Sequence, residues 1–138
     1  MSTELGLVDT QCPQVFKRGG VKNMAQWSHL PRFIKTYEFI KTVYRIVGQF
    51  RKEHKYNLGA ELQKIIWQTM DEIIKTNSLK DGEKTEGVEK ISQLFDMFKI
   101  RFRLAYELGL ISDKKFGAAQ KEMEEIGKMI GGWKKWAG

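Results

Sequence analysis

The sequence predicts an all-α protein, an antiparallel up-down four-helix bundle. Apolar residues recur at steps of three and four over four separate stretches, which is the helical period. The chain has only two prolines in 138 residues, among many Lys, Glu, Ile and Leu, and that composition favours helix. Short links between helices one and two, and between three and four, make those pairs antiparallel neighbours. At 41% hydrophobic and 30% charged, the chain is composed as a globular protein and is long enough for one domain with a single core.

Residues 1–28 show neither helical nor strand period and hold Gly6, Pro13, Gly19 and Gly20 among polar residues. They are expected to form a flexible arm, with Val15, Phe16 and Trp27 as its only anchors. The bundle domain is expected over residues 29–138. Helix one starts near residues 28–32, where Pro31 suits a first turn because its missing N–H costs nothing there. Its core stripe reads as Phe33, Tyr37, Ile40, Tyr44 and Val47, widened by Val43 and Phe50. Lys41, Arg45 and Lys52 form a row on the other side. Residues 53–56 connect to helix two, with Asn57 as its N-cap. Leu62, Ile66, Thr69 and Ile73 give that helix its stripe, and Trp67, Met70 and Ile74 extend it to one flank. Such breadth serves either a wide intramolecular face or a contact with another copy.

Residues 77–86 are polar, contain Gly82 and should be the most exposed loop. Helix three follows over residues 88–108 with two apolar stripes. Val88, Ile91, Phe95, Phe98, Phe102 and Ala105 form one; Met97, Ile100, Leu104 and Leu108 fall on the opposite side. One face suffices to join a bundle, so the second needs another partner. Lys99, Arg101 and Arg103 lie between the stripes, either as ion-paired scaffold groups or as groups facing the inside of an assembly. Gly109 stops the helix and Ser112 caps helix four. There Phe116, Ala119, Met123, Ile126, Ile130 and Trp133 form the stripe, with Lys121, Glu124, Glu125, Lys128 and Lys135 outside. Gly131 and Gly132 either end this helix or admit a neighbouring backbone.

Net charge is +7, and residues 32–55 hold seven Lys/Arg against two Glu, so most of the excess lies there. This fits both a solvated helix face and a surface that meets phosphate. The single cysteine, Cys12, allows no internal disulfide and fits a reducing compartment. No signal peptide is recognisable, and no window approaches the ~18 consecutive apolar residues of a membrane span. A soluble, cytoplasmic protein without membrane contact is expected. Chemistry for catalysis is lacking. His29 and His54 lie near the ends of helix one, Cys12 has no nearby His, and there is no phosphate-binding glycine motif. No enzyme activity, metal or cofactor is expected. Trp27, Tyr56 and Trp136 are left over from the core stripes and could stack bases.

Four segments carry a family likeness. They are Leu30-Pro31-Arg32-Phe33 at the start of helix one; Phe50-Arg51-Lys52 with Tyr56-Asn57-Leu58-Gly59 at the turn into helix two; Arg101-Phe102-Arg103-Leu104-Ala105 with Glu107-Leu108 in helix three; and Ile126-Gly127-Lys128-Met129-Ile130-Gly131-Gly132-Trp133 in helix four. Together they resemble the accessory variability determinant (Avd) family of diversity-generating retroelements, within the broader bundle family first noted in 23S rRNA intervening sequences. The last segment is the most specific, and the likeness spans about residues 30–136. Arg51 stands where many members of the broader family carry proline.

The resemblance implies a non-enzymatic, basic, barrel-shaped homopentamer of four-helix bundles. It implies binding to the element's reverse transcriptase and to nucleic acid, RNA or DNA, in support of mutagenic copying and transfer of variation into a target gene. On that reading, Arg32, Lys35, Lys41, Arg45, Arg51, Lys52, Lys55, Lys99 and Arg103 are candidates for contact with nucleic acid or the reverse transcriptase. Trp67, Met70, Ile74, Met97, Ile100, Leu104 and Leu108 are candidates for the contact between copies. The alternative is a bundle of the broader family that pairs only with protein and has no nucleic-acid role.

Overall fold

The computed structural model describes residues 30–137, which form four long helices with no strand among them. The arm expected over residues 1–28 lies outside the described residues. The helices are α1 (Pro31–Gly48), α2 (Ala60–Asn77), α3 (Thr85–Glu107) and α4 (Asp113–Ala137). α1 packs on α2 and α4, and α3 packs on the same two, so α1 and α3 are diagonal. They meet across the core where Phe39 stands edge-on to Phe98 at 5.5 Å and to Phe102 at 6.5 Å. With short links throughout, successive helices reverse direction, as an up-down bundle requires. The α1–α2 and α3–α4 links share one end, here the upper end. The start of α1, the α2–α3 link and the end of α4 share the lower end.

Side-chain burial follows the expected stripes in three helices. All six residues of the α3 stripe are buried, as are Leu62, Ile66, Thr69 and Ile73 of α2. In α4 every stripe residue is buried except Phe116, which is half-buried and stacks on Tyr106 at 4.0 Å and Phe102 at 5.6 Å. Aromatic contacts of this kind contribute about 0.5–1.5 kcal/mol each beyond area burial. Ion pairs join the helices at their edges, Lys35 to Glu125, Lys90 to Glu72, Arg101 to Glu61 and Lys134 to Glu89.

Two expectations about faces are corrected. α1 is turned from its expected stripe: Tyr44 is 45% exposed, while Thr36, Phe39 and Ile46 are buried. α1 lies between α2 and α4, so its buried arc centres on Phe39, Ile40 and Val43 and leaves Tyr44 on one edge. Met70 of α2 is only 1% exposed, and Ile74 is half-buried against the core. α2 has α1 on one side and α3 on the other, so a wide face is consumed inside the bundle. Met70 is therefore unavailable to another copy.

The turn into α2 also differs from expectation. A helical turn at Lys52–His54 and a π-helical segment at Lys55–Gly59 run directly into α2. Asn57 sits inside this run, its Nδ2 donating to the Glu53 carbonyl at 3.0 Å, so it is not an N-cap. The widened turn brings Gly59 against α1, where a Cβ would lie 2.7 Å from Val47 Cγ1.

Three other helix ends form as read, while α3 begins at Thr85, inside the loop expected over residues 77–86. Pro31 opens α1. Gly109 has φ +79°, and its N–H and that of Leu110 donate to the carbonyls of Tyr106 and Ala105, which closes α3 in a Schellman motif. Ser112 Oγ accepts from the Lys115 N–H at 3.2 Å, capping α4. α4 continues through Gly131 and Gly132, and a Cβ on either would meet nothing within 4 Å among the described residues, so these glycines neither end the helix nor admit a described stretch of backbone. No helix among the described residues is long and apolar enough to cross a membrane.

Candidate nucleic-acid interface

The upper end is built from residues 45–61 and 101–116, which hold eight Lys/Arg against four Asp/Glu. All four acids are engaged. Glu53 pairs with Arg51 at 3.3 Å, Glu61 with Arg101 at 3.2 Å and Glu107 with Arg103 at 3.0 Å. Asp113 accepts from the Tyr106 hydroxyl at 2.7 Å, which raises the phenol's pKa above its usual value. Arg45, Lys52, Lys55, Lys114 and Lys115 are left without a carboxylate partner among the described residues. Four of these are exposed and Lys55 is half-buried.

Local helix physics explains only one of them. Arg45 lies in the last turn of α1, where a cation favours the negative end of the helix dipole. Lys114 and Lys115 lie in the first turn of α4, where the dipole opposes a cation. Helix stability therefore does not account for their presence. Tyr56, 74% exposed, follows Lys55 on the π segment and offers an open aromatic ring beside the cations.

The other expected cations are distributed differently. Arg51 and Arg103 are at the upper end in exposed ion pairs. Lys41 and Lys99 lie along the sides, paired with Glu38 and Asp96 and set over the rings of Tyr37 and Phe95. Exposed pairs of this kind are worth about 0–1 kcal/mol, so a phosphate can replace the carboxylate at little cost. Lys35 is at the lower end with Glu125. Arg32 is half-buried there, its Cζ 4.0 Å from the Trp133 ring centroid and its Nη2 donating to Asn77 Oδ1 at 3.2 Å. Arg32 thus stands apart from the cations of the upper end. Lys114 and Lys115 were missed because charge was summed along one continuous segment, whereas the site joins two links distant in sequence. The signal was present in the unfavourable dipole position of two adjacent lysines after the Ser112 cap.

The described residues leave two apolar surfaces uncovered. Met97, Ile100, Leu104 and Leu108 form an exposed ridge on α3, with Ile100 at 70%. Between α1 and α2, the exposed rings of Tyr44 and Trp67 adjoin, the indole N–H donating to the Tyr44 hydroxyl at 2.9 Å. Ile74 and Met70 contribute little or nothing to either surface.

A family model described as bAvd-like matches residues 33–137. The chain belongs to the bAvd-like family. The match takes in the four helices apart from the first two residues of α1, the whole upper end and both apolar surfaces, and it covers the likeness segments from Phe33 onward. An Avd-type protein is therefore built here as an all-helical four-helix bundle. No curated protein matches the chain.

Proposed function

We propose that this Avd-type protein is a non-enzymatic accessory subunit of a diversity-generating retroelement. It binds the element's reverse transcriptase and the template nucleic acid, and it supports mutagenic reverse transcription and retrohoming. The observation that carries the nucleic-acid reading is the upper end, where every acid is spent and five cations have no carboxylate partner among the described residues. Contacts to phosphate position a strand without reading its bases, so binding should show little sequence preference. Family membership supports the reverse transcriptase as the protein partner.

The protein acts as a homo-oligomeric ring, five copies being the number that the resemblance implies. A contiguous apolar ridge on a small soluble bundle marks a contact surface. The α3 ridge and the Tyr44–Trp67 surface lie on different sides of the bundle, since α3 is diagonal to α1. A contact of one with the other is heterologous, and such contacts form a ring when the rotation between copies closes. The ring repeats the cationic end, so weak phosphate contacts combine through effective concentration. Co-expression with the reverse transcriptase of the same element tests this. The expected result is a co-purifying complex that retains RNA, with the free chain an oligomer by light scattering. A reverse transcriptase that elutes alone, with the free chain a monomer at micromolar concentration, would contradict it.

A further inference from the structure

At the lower end, a cleft of about 470 Å3 opens between the start of α1 and the end of α4, walled by Arg32, Lys84, Met129, Trp133 and Trp136. Among the described residues its charged lining is wholly cationic. Of the five N–H donors of Arg32, Nη2 reaches Asn77, while Nε is buried with no acceptor among the described residues. Lys84 Nζ lies 5.6 Å from the Trp136 ring centroid and only loosely, at 3.7 Å, from Asp81 on the open surface. The Trp136 side chain is 59% exposed and offers an open indole face. α1 begins at this wall with no side-chain cap and no acidic residue in its first turn, so the described residues leave the positive end of its dipole without a neutralising charge. An open indole, two cations and an uncapped helix start together suit an aromatic ring that carries a phosphate.

We propose that this cleft holds one nucleotide of a single-stranded nucleic acid, its base stacked on Trp136 and its phosphate between Arg32 and Lys84. The proposal rests on the nucleic-acid reading above, but it concerns the opposite end of the bundle. An acidic peptide would use the cations and leave the indole idle, so the aromatic arm of the test separates the two. Calorimetric titration of the full chain with adenosine 5′-monophosphate is the measurement. Saturable binding is expected. Trp136→Ala, at an exposed position, should weaken it about ten-fold, the effect of losing one base–aromatic stack. Lys84→Gln should weaken it as well, and adenosine without phosphate should bind more weakly than the nucleotide. Absence of saturable binding, indifference to Trp136→Ala, or equal affinity for adenosine would each overturn the proposal. Binding of a long RNA, measured in parallel, keeps the two readings apart. RNA binding without nucleotide binding overturns the cleft alone, and loss of both overturns both.

Discussion

Gly87 and Gly131 both lie inside helices, yet the structure gives them opposite roles. A Cβ at Gly87 would lie 2.1 Å from Oγ1 of the buried Thr76, so α3 crosses the end of α2 too closely for any side chain. Gly87→Ala should lower the unfolding free energy by about 1–3 kcal/mol in urea denaturation, as overpacking does. Gly131 has open space around it, and Gly131→Ala should raise stability by about 0.5–1 kcal/mol in the same assay. Spacing along one helix could not separate these glycines, because the difference is set by a neighbouring helix. Tyr106 adds a pH dependence. Its hydrogen bond to Asp113 holds the phenol proton, so the folded pKa lies above the ordinary value of 10.0. The stabilisation is complete below that ordinary value and is lost as pH rises through the raised one. Melting curves taken into alkaline pH should show this loss in the native chain and not in Tyr106→Phe.

At the scale of elements, helix existence and most faces were legible because α3 and α4 have stripes that run at one phase from end to end. α1 was not, since Phe39, Ile40, Val43, Tyr44, Ile46 and Val47 cover too wide an arc for spacing to locate the buried centre. Tyr44, with a polar tip, took the edge. The turn into α2 failed for another reason. Asn57 is a strong cap signal locally, but the run from Lys52 stays helical by widening to a π segment that fits Gly59 against Val47. The wide face of α2 left two readings for Met70, and burial decides between them. Met70→Ala should cost about 2–5 kcal/mol of stability. Ile100→Glu, on the exposed α3 ridge, should leave the monomer's folding nearly intact and reduce the assembly's size by light scattering. An Ile100→Glu chain of native size would remove the ridge from the contact between copies.

For the whole molecule, the basic excess was plain in the sequence but its concentration only half so. Helix one and its turn carry Arg45, Lys52 and Lys55, which a sum along the chain finds. Lys114 and Lys115 join them only because an up-down bundle brings two distant links to one end. That the four acids there are already engaged is visible only in three dimensions. If this end meets phosphate, RNA affinity must fall with salt through these cations. The native chain is compared with one carrying Arg45→Ala, Lys52→Ala and Lys55→Ala. Each lost contact should shrink the slope of log K against log salt by roughly 0.7–0.9, so the variant's slope should be shallower by roughly 2 for three cations at the least, with weaker binding at low salt. Equal slopes and equal affinities in the two chains would show that these cations do not meet phosphate.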